Sequence, residues 1–396
     1  MIVLEYKLRG KKQQFLAIDE AIRTAVFIRN KCVRYWMERR GVKQADLHKL
    51  CAQLAKEFEW ARKLNSMARQ ASAERAWFSI TRFYANCKAH KPGKKGYPKF
   101  KSRGHSVEYK TTGWHLSEDR RHITFTDGFH AGTFSLLGKY DLHFYAIELI
   151  KRVRVVRRAD GYYCQFCVGV ERTEQHEWTG RSVGIDLGLE YFYTDSDGNT
   201  VETPRFLRKS EKALKRLNKR ISNKKKGSKN RKKAVNRYAR KHLKVKRQRR
   251  DFAVKTAMAL VKSADLIVYE DLKVHNLVKN HFLAKSIYDA AWTLFIRWVE
   301  HYAKIHGIVT VAVPPHYTSQ ECSGCGHRAR KSLSDRTHQC PKCGLRLHRD
   351  HNAAITIKLK GLLILGASTA GQAGTHAWGE MAATLQRETA AEQVSS

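Results

Sequence analysis

The feature that most constrains the fold of this chain is a pair of Cys-x-x-Cys motifs in its C-terminal third, separated by 14 residues. Four cysteines at this spacing suit the tetrahedral thiolate coordination of structural Zn²⁺. Gly326 and Gly344 follow the second cysteine of each motif and allow the tight turn that a zinc knuckle needs. We therefore predict a zinc-binding loop at residues 321–344. Its ligands are Cys322, Cys325, Cys340 and Cys343.

Two disulfide bonds are the alternative interpretation of these cysteines. Disulfides persist in oxidising compartments, and the sequence has neither a recognisable signal peptide nor an apolar run of 18 residues. Cys164 and Cys167 also form a Cys-x-x-Cys motif, but they lie in an alternating segment that predicts a strand with the two thiols on opposite faces. Helical patterns surround the remaining cysteines, which we expect to be buried or half-buried. These are Cys32, Cys51 and Cys87.

The charge of the chain predicts a polyanionic partner. Lysine and arginine number 76 against 36 acidic residues, a formal net charge of +40. Self-repulsion on this scale destabilises a compact state unless a polyanion neutralises it, and nucleic acid is the usual one. The short apolar runs predict no membrane span. An anionic membrane surface would satisfy the charge but would not explain the zinc motif.

The basic charge is concentrated in residues 205–250, where 23 of 46 residues are Lys or Arg and Glu211 is the one acid. Apolar residues recur there at helical spacing, and Gly227 with Ser228 interrupts the run. We interpret the segment as a basic helical hairpin that binds phosphates, although a solvated helix face or a disordered tail would share its composition. The candidate nucleic-acid-binding residues are Lys224, Lys225, Lys226, Lys229, Arg231, Lys232 and Lys233.

Three acidic residues occupy positions that suggest a cation site. Asp186 lies in the middle of a predicted apolar strand, Glu270 ends another, and Asp350 opens a predicted helix at 350–358. A carboxylate in an apolar strand is costly unless it is paired or binds a cation. If the three carboxyl groups converge to about 4 Å, each pair repels by a few kcal/mol, which a hard cation such as Mg²⁺ (or Mn²⁺) relieves. Two such ions can support phosphodiester hydrolysis.

The rest of the chain predicts a mixture of strands and helices. Residues 1–8 predict a strand, 11–90 about three helices, and 106–171 a series of strands with a hairpin turn at Ala159-Asp160-Gly161. Residues 182–201 predict one strand, a turn at 197–199 and a second strand. Shorter apolar patterns predict further helices at 252–262 and 292–305, and strands at 264–272 and 307–315.

The motifs GIDLG, IVYEDL and SQECSGCG…CPKCG…HRDHNAAI resemble the RuvC-like nuclease half of the TnpB (OrfB) family, which is related to type V CRISPR effectors. The resemblance covers about residues 182–358, and KKGYPKFKS resembles the family's Gly-x-Pro-x-Phe element. It implies an α/β fold: an RNase H-like (RuvC) nuclease domain with an inserted zinc-ribbon-like loop, and an N-terminal wedge β-barrel with an inserted helical recognition lobe. The implied domains are a wedge at 1–9 and 91–176, a helical lobe at 10–90, a nuclease domain at 177–320 and 345–360, the zinc loop at 321–344, and a weakly ordered tail at 361–396.

The resemblance also implies a function. TnpB proteins are RNA-guided DNA endonucleases of mobile elements, which cut beside a short flanking motif by Mg²⁺-dependent hydrolysis. It assigns Asp186, Glu270 and Asp350 as catalytic metal ligands and the four cysteines as zinc ligands. Implied partners are a guide RNA, transposon-end RNA, and double- and single-stranded target DNA, in a prokaryotic cytoplasm and associated with the nucleoid.

Two other functions remain open at the level of sequence. A non-cutting repressor or transposition accessory protein would bind nucleic acid without the three acids, all of which this chain retains. A DDE transposase uses a similar acidic fold, but the zinc motif just before Asp350 favours the TnpB-like interpretation. The departures from the family pattern are His348, where an acid is common, and Ala354-Ile355-Thr356-Ile357.

Overall fold

The structure, a computed structural model, describes residues 1–332 and 335–369. The chain divides into two compact units, with the boundary in the sequence between Arg172 and Thr173. The tail that we expected to be weakly ordered starts at 361, but the last described helix continues through Thr369. The remainder of that tail, residues 370–396, lies outside the described residues. Within the described part of the chain, no helix has the length and apolar character needed to cross a membrane.

The first unit contains an antiparallel sheet with strand order β2-β6-β7-β1-β5-β4-β3. The predicted hairpin joins β6 to β7, with Arg158 opposite Gly161 in register. Cys164 and Cys167 both lie in β7 and are buried, and Cys164 belongs to the main core. The strands are β1 Ile2–Arg9, β2 Ser106–Tyr109, β3 Trp114–Leu116, β4 His122–Phe125, β5 Gly132–Leu137, β6 Ile150–Arg158 and β7 Gly161–Val168.

Helices inserted between β1 and β2 share one core with this sheet. The sequence predicts about three helices there, and the structure has three long ones and a single short turn of helix. Asn65 caps the last of them by accepting the backbone N–H of Met67 at 2.9 Å. Cys32 and Cys51 are buried and Cys87 is half-buried, as expected. The helices are α1 Lys12–Glu38, α2 Gln44–Glu57, α3 Glu59–Arg62 and α4 Ser66–Lys88.

The second unit is built on a mixed sheet with strand order β10-β9-β8-β11-β12. Strands β8, β11 and β12 run parallel, whereas β9 and β10 return antiparallel beside β8. Residues 182–201 therefore form three strands, and the prediction of two was wrong. The strands are β8 Ser182–Asp186, β9 Tyr191–Asp195, β10 Thr200–Glu202, β11 Leu266–Glu270 and β12 Val309–Val313.

Helices cover both faces of this sheet. Alternate residues of β11 face opposite sides: Ile267 joins the core beneath α6 and α9, and Val268 joins a second core beneath α10. The basic hairpin is formed by α5 and α6, and the helix predicted for 252–262 is the end of α6. The helices are α5 Phe206–Ser222, α6 Lys229–Lys262, α7 Val274–Leu277, α8 His281–Ala290, α9 Trp292–His306 and α10 Arg349–Thr369.

Helix α10 lies directly on the sheet because two glycines allow it. A Cβ atom on Gly184 would lie 2.3 Å from the carbonyl oxygen of Ala354, and one on Gly361 would lie 2.4 Å from Val268 Cγ1. Real Cβ atoms do not make contacts this short, so any side chain at either position would displace the helix. The first turn of α10 is thereby fixed relative to β8 and β11.

Candidate active site and metal centre

Two of the predicted acids lie at the carboxyl edge of adjacent parallel strands. Asp186 is the last residue of β8 and Glu270 the last of β11, and the register pairs Ile185 with Tyr269, one residue before each acid. The prediction that Asp186 lies in the middle of a strand was wrong. The chain turns back after it, where the Gly188 N–H donates to the Phe192 carbonyl at 3.3 Å.

The third acid reaches the same edge from helix α10. Asp350 lies in the first helical turn, is 7% exposed, and accepts a bond from Arg349 Nε at 3.1 Å. Burial raises the pKa of Asp186 well above its usual range, the negative charges of Glu270 and Asp350 raise it further, and Arg349 opposes them. Asp186 therefore lies within electrostatic range of both Glu270 and Asp350, and we call the part of the sheet edge that carries these three residues the acidic edge. Their catalytic role remains a prediction.

Glu270 has a partner that sequence reasoning missed. Burial raises its pKa, while the Thr318 hydroxyl, which donates to Glu270 Oε1, and the positive charge of Lys360 oppose that shift. Thr318 is itself buried and lies in the segment between β12 and the zinc motif. Because the two residues are 48 positions apart, no local pattern indicates their contact. The hydroxyl fixes the orientation of a carboxylate that would otherwise rotate freely.

The four cysteines of the zinc motif converge as predicted. Their sulfur atoms all lie within 4.8 Å of one another, with Cys322 Sγ 3.6 Å from Cys343 Sγ and Cys325 Sγ 3.5 Å from Cys340 Sγ. Backbone N–H groups of Cys343 and then Lys342 lower the pKa of Cys340 to about 6, whereas burial raises the pKa of Cys322 to about 12. Before metal binds, Cys340 therefore favours the thiolate form and Cys322 the thiol. Four free thiols in this arrangement fit Zn²⁺.

Each half of the motif forms the same turn. The N–H of Gly326 donates to the carbonyl of Cys322 at 2.9 Å, and the N–H of Gly344 donates to that of Cys340 at 3.0 Å. Both glycines have positive φ, 71° and 78°, which a residue with a side chain rarely adopts. The predicted role of these two glycines is confirmed. A short antiparallel pair, β13 Thr337–Gln339 and β14 Arg346–His348, connects the second turn to α10.

The basic hairpin is folded as two helices with a capped turn. Ser228 caps α6 by accepting the N–H of Arg231 at 3.1 Å. Arg231 differs from the other candidates, because its guanidinium donates to the carbonyls of Ile221 at 2.7 Å and Lys224 at 3.0 Å at the end of α5. The other candidate side chains are exposed: Lys224, Lys225, Lys226, Lys229, Lys232 and Lys233.

A buried acid anchors the base of this hairpin. Asp289, at the end of α8, accepts the backbone N–H groups of Leu207 and Arg208 and forms an ion pair with Arg249 of α6 at 2.8 Å. It therefore compensates the unpaired donors at the N-terminus of α5 and joins that helix to α6. No local sequence pattern indicates this role for Asp289.

Two family models match consecutive parts of the chain. Residues 165–281 match the family OrfB_IS605, described as "Probable transposase", and residues 292–357 match a Cas12f1-like TNB domain. A "Putative RNA-guided DNA endonuclease" of Streptomyces pristinaespiralis is 37% identical over 186 residues, 46% of this chain and 46% of that protein. "Putative RNA-guided DNA endonuclease InsQ" of Escherichia coli K12 is 30% identical over 242 residues, 57% of this chain and 60% of that protein. The matches thus span about half the length of these relatives.

A solved structure shares the fold more widely. The cryo-EM structure of a Cas12f1–sgRNA–target DNA complex has a chain that covers 87% of this one, with 82% of its own length matched, a TM-score of 0.56 and 14% identity. The protein is therefore of the mixed α/β class to which the Cas12 effectors belong. The two matched families and the named relatives are more specific. They confirm the resemblance to the TnpB (OrfB) family that the motifs indicate.

Proposed function

We propose that this protein is an RNA-guided DNA endonuclease of a mobile element, which cuts target DNA beside a short flanking motif by Mg²⁺-dependent hydrolysis. One observation carries the proposal. Asp186, Glu270 and Asp350 come from two adjacent strand ends and one helix, and the charges of the latter two raise the pKa of the first. A buried carboxylate whose pKa is raised by two neighbouring acids is destabilised at neutral pH unless a cation compensates its charge.

The donor set at this edge fits a hard divalent cation. Carboxylate oxygens are the ligands that Mg²⁺ and Mn²⁺ prefer, with the remaining positions left to water and phosphate oxygens. When bound, such ions would supply an activated water and stabilise the leaving 3′ oxygen of the cut strand. Asp186, Glu270 and Asp350 would hold them.

The surrounding residues have separate tasks in this proposal. The Thr318 hydroxyl holds one oxygen of Glu270, so that the other can face the cation. Arg349 bonds Asp350 Oδ1 and partly neutralises the acidic edge. Neither residue needs to exchange a proton with the substrate; both position carboxylates, which is what an electrostatic mechanism of phosphodiester hydrolysis requires.

The rest of the chain would bind nucleic acid. We infer an RNase H-like (RuvC) nuclease domain at 177–320 and 345–360, a structural zinc loop at 321–344, a wedge barrel at 1–9 and 91–176 and a helical recognition lobe at 10–90. Guide RNA, transposon-end RNA and double- and single-stranded target DNA are the proposed partners, by analogy with the named relatives. Base pairing would then supply sequence specificity.

A cleavage assay with matched acidic variants tests this proposal. Protein purified with its bound RNA is incubated with a DNA that the RNA can pair with, in Mg²⁺ and in excess chelator. We expect Asp186→Ala, Glu270→Ala and Asp350→Ala each to lose at least a thousandfold in cutting rate while retaining nucleic-acid binding. Asp271→Asn is the control, since this acid follows Glu270 directly but its side chain is exposed and pairs with Lys273.

The same assay separates the proposal from a non-cutting binder. A repressor or accessory protein would bind the RNA and the DNA with wild-type affinity and leave the DNA intact under every metal condition. Cutting that persists at the wild-type rate in Asp186→Ala, or in chelator, would assign the activity to another site or to a contaminant.

A further inference from the structure

A cleft in the first unit gathers positive charge outside the proposed nuclease domain. It lies between helix α1 and residues 99–106 and has a volume of about 490 Å³. Arg29, Arg75, Lys101 and Arg103 line it, and no carboxylate is among its described lining residues. Cations repel one another, so a fold that collects four of them around one cavity loses stability unless an anion compensates.

Arg29 is the most costly of these cations, because it is buried. Its side chain belongs to a residue only 6% exposed, and its guanidinium donates to two neutral oxygens, the Lys99 carbonyl at 3.0 Å and Asn30 Oδ1 at 3.2 Å. Burial accordingly lowers the pKa of Arg29. A buried guanidinium is normally matched by a carboxylate or another anion. In the described part of the chain Arg29 has hydrogen-bonding partners but no recorded counterion.

Arg75 shares its carboxylate partner with other cations. Its partner Glu108, 3.3 Å away, also binds Arg152 at 2.7 Å and Arg154 at 2.6 Å. The second acid of this network, Glu74, is likewise shared, between Arg152 and a lysine. Four cations thus meet two carboxylates, and one of the four, Arg75, lines the cleft.

The cleft is a built feature of the fold. The Asn30 side chain binds the backbone of Lys101 at both groups, donating to its carbonyl at 2.8 Å and accepting its N–H at 2.9 Å. Gly104 lies so close to α1 that a Cβ would be 2.4 Å from Val26 Cγ2. The segment is therefore fixed on the helix, and Lys101 projects from a rigid point. Burial, then the charges of Arg29 and Arg75, lower the pKa of Lys101.

We propose that this cleft binds a phosphate group, with Lys101 and Arg103 as its contacting cations and with the buried Arg29 and the half-buried Arg75 behind them. A tetrahedral phosphate anion matches several convergent guanidinium and ammonium donors. The ligand is a backbone phosphate of bound nucleic acid, an assignment of source that rests on the proposed function. A free phosphate would use the same chemistry.

Chemical footprinting of Lys101 in the full-length protein tests the site without altering its fold. An amine-acylating reagent labels exposed lysines, and mass spectrometry measures the labelling rate at Lys101 and at Lys94. Lys94 is an exposed lysine of the same connecting segment that does not line the cleft. Bound nucleic acid should slow labelling of Lys101 at least fivefold more than labelling of Lys94. Inorganic phosphate at 10 mM, used alone, is the second arm.

The two arms identify the source of the phosphate. Protection by nucleic acid at concentrations where inorganic phosphate gives none supports a backbone phosphate. Selective protection by inorganic phosphate alone supports the site and assigns it to a free anion. If neither nucleic acid nor inorganic phosphate slows the labelling of Lys101 more than that of Lys94, the proposal is overturned.

A charge-matched pair of variants gives an independent readout. Lys101→Ala with Arg103→Ala should reduce the log–log salt slope of nucleic-acid affinity by about 0.7 to 0.9 for one lost phosphate contact, whereas Lys91→Ala with Lys94→Ala should leave it unchanged. An equal slope in both variants contradicts the site. If the wild type cuts DNA with Lys101 unprotected, the cleft alone is refuted. If phosphate protects Lys101 in a protein that does not cut DNA, the nuclease proposal alone fails.

Discussion

Asn352 holds the backbone of Ser323 to the helix that carries Asp350. Its Oδ1 accepts the Ser323 N–H at 3.0 Å, and its Nδ2 donates to the Glu321 carbonyl at 2.7 Å. Asn352 is fully buried, and Ser323 lies between the first two zinc-motif cysteines. One side chain therefore connects the zinc loop to α10, which makes the loop a support for the acidic edge.

Replacing Asn352 with alanine should uncouple the zinc loop from helix α10. The change leaves a half-buried N–H and a half-buried carbonyl without their side-chain partner, which costs about 1 kcal/mol or more. We expect bound zinc to be retained, the unfolding midpoint to fall, and DNA cutting to decrease at least tenfold. Elemental analysis, thermal unfolding and the cleavage assay measure these three quantities.

Ser323→Ala is the matched control, because it keeps the backbone N–H that Asn352 binds. It should cut at close to the wild-type rate. If Asn352→Ala cut as fast as this control, the zinc loop would have no positioning effect on Asp350.

Zinc itself should be structural and stoichiometric. We expect elemental analysis to find one zinc per chain in the wild type. Cys340→Ser or Cys322→Ser should abolish it and should increase proteolysis within residues 321–344. Cys167→Ser is the control, since that cysteine also lies in a Cys-x-x-Cys motif but is buried in strand β7. Zinc loss in Cys167→Ser, or none in Cys340→Ser, would contradict the assignment.

The zinc loop and the three acids could be predicted because their chemistry is local. Each Cys-x-x-Cys motif with its following glycine specifies one turn, and each acid lies beside a recognisable apolar segment. The position of Asp186 within its strand could not be predicted in this way. The strand ends there because β9 returns antiparallel from the turn at Gly188, and an apolar run such as LEYFY does not indicate where a chain reverses.

Contacts between distant residues were also beyond the sequence. Thr318 with Glu270, and Asp289 with the start of α5, join residues 48 and 82 positions apart. Arg231 shows a related limit. Composition places it with its lysine neighbours, yet its guanidinium binds the Ile221 carbonyl in the last turn of α5 and the Lys224 carbonyl just after that helix. A helix end leaves acceptors that a nearby cation can bind.

The exposed lysines of the basic hairpin and Arg231 should therefore respond differently to substitution. Replacing Lys224, Lys225 and Lys226 together with alanine should weaken RNA or heteroduplex binding for every sequence and lower the salt slope by about one per lost phosphate contact. The unfolding midpoint should not fall. Arg231→Ala should lower that midpoint, because it removes the helix cap, with a smaller effect on the salt slope.

Filter binding at several salt concentrations, combined with thermal unfolding, distinguishes the two effects. A triple lysine variant with wild-type affinity and salt slope would mean that the hairpin turn is only solvated. Arg231→Ala with an unchanged midpoint would mean that its contacts to Ile221 and Lys224 add no stability.

The raised pKa of Asp186 predicts how the stability of the metal-free protein changes with pH. Because the pKa of Asp186 is raised in the folded state, folding favours its protonated form. The contribution of Asp186 to the free energy of unfolding of the metal-free protein is therefore greatest below the pKa of an unfolded carboxylate, about 4. It decreases as pH rises from there towards the pKa of Asp186 in the folded protein. At pH 7.5 without divalent ions, Asp186→Asn should unfold at a higher temperature than the wild type.

Adding Mg²⁺ tests the central claim most directly, because a ligand stabilises only the state that binds it. The measurement is the unfolding midpoint at pH 7.5 across a Mg²⁺ titration, for the wild type, Asp186→Asn and the control Asp271→Asn. We expect Mg²⁺ to raise the midpoints of the wild type and Asp271→Asn, and to leave that of Asp186→Asn nearly unchanged. Equal responses in all three proteins, or a metal-free wild type more stable than Asp186→Asn, would contradict a metal site at this edge.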